Sequence, residues 1–102
     1  EPFDPPGHDK VGPVRLLDAG AQGEQITVTL SHYLPGGQAE TASQPTETVY
    51  VVLAGELEMT SEDVQVTLLP YDCAHFTADT VRRVVNRTHL PASMLVIRPA
   101  GT

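Results

Sequence analysis

Glu47-Thr48-Val49-Tyr50-Val51-Val52-Leu53-Ala54-Gly55 is the stretch that decides the fold. Its centre is β-branched, aliphatic and aromatic, the side-chain types that fit a pleated sheet, and Ala54-Gly55 before Glu56 reads as a tight hairpin turn. Outward from it the chain repeats the same grammar of short apolar runs between turn signals. Strands are expected over Val14–Leu17, Gln25–Tyr33, Thr48–Leu53, Glu56–Thr60, Val64–Leu69, Ala74–Thr77, Val81–Asn86 and Ala92–Ile97. Ser61-Glu62-Asp63 reads as a second hairpin, so sequential strands are expected side by side in antiparallel pairing. Ile26, Val28 and Leu30 alternate with Thr27, Thr29 and Ser31, the period of two of a strand with one face on a core. No window holds a helical period. Many short strands at this spacing predict an all-β sandwich or barrel with little or no helix.

A chain of 102 residues with 40% hydrophobic content supports one soluble domain with one core. Four of the nine prolines fall in residues 1–13. Proline has no amide hydrogen for a ladder, so this segment is expected to be an irregular arm, with the domain proper over 14–102. The formal net charge of −7, with six scattered basic residues, excludes nucleic acid and anionic membrane surfaces as partners, which require clustered Lys and Arg. No apolar run is long enough to span a bilayer. The single cysteine, Cys73, excludes an internal disulfide, is expected to be buried as a small hydrophobe, and favours a reducing, cytoplasmic setting. Pro35 to Thr46 is expected to be the longest loop of the middle of the chain, the kind of segment on which function tends to sit.

Two blocks carry a family resemblance. Pro35-Gly36-Gly37 through Gln44 and Thr48 to Gly55, and Leu69-Pro70-Tyr71-Asp72 through Arg82 to Asn86, resemble the two motifs of the cupin superfamily in register. The resemblance covers residues 25–98 and implies an antiparallel double-stranded β-helix, a jelly-roll barrel. The family places metal ligands, mostly histidines with one glutamate, at four positions that here read Ala42, Gln44, Thr48 and Arg82. Tyr71 stands where the second motif has glycine. Ala42 offers no donor atom, Gln44 and Thr48 are weak neutral ligands, and Arg82 puts a permanent positive charge where a cation would sit. The expectation is therefore no metal and no other cofactor.

The register the resemblance implies points Arg82 into the barrel, where an interior guanidinium needs partners. Glu47, Glu40 or Asp79 would pair with it as a structural plug. Otherwise Arg82, with Gln44, Thr48 and Tyr50, would hold an oxygen of a small polar or anionic molecule. Metal-free epimerases of the same superfamily use a histidine base and a tyrosine acid. That precedent implies His75 as base, with Tyr50 or Tyr33 as the opposing acid. Two other readings stand beside this one: a metal-dependent enzyme of dioxygenase, isomerase or lyase type using His32, Glu40, Glu47 and His75, and a non-catalytic structural or dimerisation module. The family resemblance also implies a homodimer.

Overall fold

The computed structural model describes residues 8–17, 26–41, 46–62 and 64–99, with the backbone alone at 8, 9, 13–17, 40 and 41. Eight strands follow in order: β1 (His8–Leu17), β2 (Ile26–Thr41), β3 (Thr48–Ala54), β4 (Leu57–Ser61), β5 (Val64–Leu68), β6 (Cys73–Phe76), β7 (Arg82–Val85) and β8 (Ala92–Pro99). All pairings are antiparallel, in the order β5-β4-β7-β2-β8-β3-β6, with β1 also paired to β2. Side chains from both ends of this path, Leu68 of β5 and Ala74 and Phe76 of β6, pack into one cluster with Tyr33, Tyr50, Val52, Leu57, Met59, Val84 and Met94. The sheet therefore curls around a single core as a nearly closed barrel. Among the described residues no helix is long and apolar enough to cross a membrane.

The long second strand makes the curl possible. Residues 26–33 pair with β8, and residues 38–41 pair with β7. Between them the chain turns a corner at Gly36, whose φ is 80°, and two backbone hydrogen bonds pin the corner to the end of β7: Gly36 N to Asn86 O at 2.9 Å and Asn86 N to Gly37 O at 2.8 Å. Pro35-Gly36-Gly37 is thus a bend inside a strand and not the start of a loop. The first strand likewise begins at His8, inside the segment expected to be an irregular arm. Residues 1–7 of that arm lie outside the described residues.

The strands match the sequence expectation, but two partnerships do not. β3 and β4 are not neighbours: β3 pairs with β6 and β8, and β4 with β5 and β7. Ala54-Gly55 is therefore a crossing between the two halves of the barrel. A Cβ on Gly55 would lie 2.6 Å from Pro91 O and 2.8 Å from Ala92 Cα, and φ there is 77°, so only glycine lets the crossing lie against the start of β8. Ser61 and Val64 do close a hairpin as expected. The second correction concerns β2. Ser31 pairs with Met94 and Tyr33 with Ala92, all buried, so the serine and threonine parity faces inward while Val28 and Leu30 face outward. Tyr71, at the position of the family glycine, keeps a left-handed φ of 73°. The Asp72 carboxylate accepts a hydrogen bond from Leu69 N at 2.9 Å across the same turn.

Candidate functional site

At one end of the barrel the inward positions are polar. Thr48 and Tyr50 alternate with Val49 and Val51 on β3, so the period of two turns both inward, beside Phe76 and Ala74 of β6. Arg82 opens β7 and also points inward, only 1% exposed, the largest of the fully buried side chains. Its Nε–H donates to the Tyr50 hydroxyl at 2.9 Å, one terminal nitrogen to Thr80 O at 2.9 Å, and the other to Thr48 Oγ1 at 2.8 Å. The guanidinium carbon lies 5.6 Å from the centre of the Tyr50 ring and 5.4 Å from that of Phe76. These two rings meet edge to face at 5.7 Å.

Burying a guanidinium costs several kcal/mol in lost hydration. Three hydrogen bonds and two aromatic faces offset part of that, each face contributing about 0.5–2 kcal/mol. All three acceptors are neutral. Glu47 hydrogen-bonds His75 on the outer surface and Asp79 is exposed, so neither is the expected partner of Arg82. Glu40 lies opposite Arg83 in the β2–β7 ladder, while Thr41 lies opposite Arg82. Gln44 and Ala42 lie outside the described residues. Tyr33, a further buried phenol, has its pKa pushed far above the ordinary tyrosine value, mainly by burial and then by its neighbour Tyr50. It stays protonated at any physiological pH.

The structure brings Arg82, Thr48 and Tyr50 together and leaves His75 apart. Along β6, Ala74 and Phe76 turn inward and Cys73 and His75 outward. His75 Nε2 meets Glu47 Oε2 at 2.7 Å on the outer surface, with the two side chains 54% and 59% exposed. Cys73, expected in the core, is exposed for the same reason. His32 is also exterior, its Nδ1 2.9 Å from Ser93 Oγ. His32 lies opposite Ser93, whereas His75 lies opposite Val49 and Val49 opposite Ile97. Those two levels of β8 are about 13 Å apart along the strand, so His32 and His75 do not share an ion. Among the described residues no three His, Cys, Asp or Glu converge. Two contributors escaped the sequence reading, Phe76 and the Thr80 carbonyl. The alternation of β6 was the signal that separates Phe76 from His75.

Residues 29–98 match the cupin domain family over more than half the chain. The chain belongs to the cupin domain family. A protein of Mycobacterium tuberculosis (strain ATCC 25618 / H37Rv) named beta-D-galactosidase Rv1717 is 41% identical over 92 residues, which cover 89% of this chain and 79% of that protein. A cupin from Silicibacter pomeroyi DSS-3, described as a sugar phosphate isomerase, superposes with a TM-score of 0.73 at 28% identity, covering 89% of this chain and 60% of that one. The cupin domain of a transcriptional regulator from Enterobacter cloacae superposes with a TM-score of 0.78 at 20% identity, covering 88% of this chain and 96% of that one, and shares the fold alone. In this cupin the residues at two of the family's ligand positions, Thr48 and Arg82, hydrogen-bond each other. A hydroxyl already engaged by a permanent cation does not fit a metal ion, which would meet like charge there.

Proposed function

We propose that this cupin binds and processes a small polar or anionic sugar-type molecule at the Arg82 end of its barrel. The observation that carries the reading is a buried guanidinium whose three hydrogen-bond partners among the described residues are all neutral. A guanidinium has five N–H donors in a planar fork that suits carboxylate or phosphate, and a ligand oxygen of that kind would supply an opposite charge. Thr48 and Tyr50 stand beside it, and Gln44 belongs to the proposed lining. Because Nε–H donates to the Tyr50 oxygen, the phenol's own hydrogen is left for a ligand oxygen, the position of a general acid. His75 takes no part in this arrangement. The sugar class is supported by the names of two relatives above 25% identity.

The test is a thermal-shift panel of galactose, galacturonate and galactose 6-phosphate on the wild type and on Arg82→Met. The acids are expected to raise Tm of the wild type by several degrees and to leave the variant unmoved; equal responses in both proteins would end the reading. We also propose a homodimer built on the outer face of β2, β8 and β3. Leu30, Leu95 and Val51 form one outward apolar row there, and Val28, Ile97 and Val49 form the next. Sedimentation should report a dimer that Leu95→Glu converts to monomer; a wild-type monomer at high concentration would refute it. A cytoplasmic setting is part of the same proposal, supported by the free, exposed thiol of Cys73.

A further inference from the structure

The inner row of β5 loses its cover toward the Arg82 end of the barrel. Leu68, Val66 and Val64 lie opposite Leu57, Met59 and Ser61 of β4, on the face that elsewhere builds the core. Yet exposure climbs along that row from 6% at Leu68 to 43% at Val66 and 63% at Val64. β5 and β6 are the two ends of the sheet path, so the free edge of β5 flanks the seam where the barrel stays open. Ser61, in the same row of β4, donates its hydroxyl to Val81 O at 3.0 Å just before β7.

This row is level with the strand position that carries Arg82. Thr60 lies opposite Arg83 in the β4–β7 ladder, so the next residue, Ser61, is level with Arg82, and Ser61 lies opposite Val64. Val64, Ser61 and Arg82 thus follow one another across three strands, about 10 Å from first to last at ordinary strand spacing. A charged, hydrogen-bonding head position and a wet apolar strip on the same inner face match a ligand with both characters. The strip gains by losing water in proportion to the area covered.

We propose that the ligand of this cupin is amphiphilic: a sugar or sugar acid whose head lies at Arg82 and Tyr50 and whose apolar aglycone or chain lies along Val64 and Val66. This rests on the sugar-type reading above and adds a specificity that the head site alone does not confer. The test compares methyl β-D-galactopyranoside with octyl β-D-galactopyranoside, below its critical micelle concentration, by calorimetry on the full chain and on Val64→Ser/Val66→Ser. Both substituted residues are exposed, and an unchanged Tm checks that the variant folds. The octyl glycoside is expected to bind the wild type about tenfold tighter, the effect of roughly two buried methylenes. In the double variant the preference should fall to about threefold or less, with methyl glycoside affinity unchanged. Binding of the methyl glycoside with no chain preference, or a preference that survives in the variant, sinks the amphiphile and spares the head site. A variant altered only in oligomeric state assigns the strip to a second copy and also overturns the proposal. Absence of binding by both neutral glycosides overturns this inference, and the response to galacturonate then decides the head site separately.

Discussion

Two buried polar side chains leave the same short stretch of chain, Arg82 at the start of β7 and Asn86 just past its end, and they are satisfied in opposite ways. Asn86 is completely buried, and its amide is closed on nearby groups. Nδ2 donates to Tyr33 O at 3.0 Å and to Leu90 O at 2.8 Å, and Oδ1 accepts from Thr88 N at 2.9 Å. It has no charge to balance and ties the corner of β2 to the turn before β8. Arg82 is equally buried but is held largely by side chains, with a whole charge facing neutral acceptors. The difference separates a side chain satisfied by uncharged partners of its own kind from a buried charge whose described partners carry no opposite charge.

The largest effect expected from this contrast is on Asn86. Asn86→Ala would leave the buried Tyr33 carbonyl without this donor and loosen the part-buried turn at Thr88 and Leu90, so urea denaturation should show a loss of about 2–4 kcal/mol; a loss below about 1 kcal/mol would show that water replaces the amide. Arg82→Met should cost less, about 1 kcal/mol or less, because removing a desolvated charge offsets the hydrogen bonds lost by Tyr50 and Thr48. A cost equal to that of Asn86→Ala would erase the contrast and make Arg82 a structural plug. The smallest effect lies on the outer surface, where Arg87 Nε donates to Glu58 Oε1 at 2.7 Å. That hydrogen bond, ahead of the other charges nearby, holds the Glu58 carboxyl below its ordinary pKa. A depressed folded-state pKa contributes stability above the unfolded value that is lost as pH falls through the folded one. Arg87→Ala should therefore flatten the acid limb slightly and move the Glu58 carboxyl resonance titration upward; an unmoved titration would show that the pair does not form in solution.

The same contrast explains what could be read from the chain. Strand positions were legible because β-branched runs and turn residues act locally, and Ser61-Glu62 closes its hairpin from local chemistry. Partnership was not legible at Gly55, because a glycine with positive φ serves a hairpin and a crossing equally well. Facing was not legible in β2, because both faces of that sheet carry covered or apolar rows, and alternation alone does not say which side holds the core. Within the site, Arg82, Thr48 and Tyr50 were placed together by the register that the family resemblance implies. His75 was favoured for its chemistry against the alternation of its own strand, which sets Ala74 and Phe76 inward and the imidazole outside with Glu47.

The most direct test of the inward guanidinium is the Arg82 Nε–H resonance, assigned by its disappearance in Arg82→Met and compared with Arg87 at neutral pH. A buried guanidinium with its Nε hydrogen on Tyr50 predicts a sharp, exchange-protected signal that shifts when galacturonate is added, while that of Arg87 exchanges rapidly and does not respond. An Arg82 signal that exchanges with solvent as fast as that of Arg87 would contradict the account.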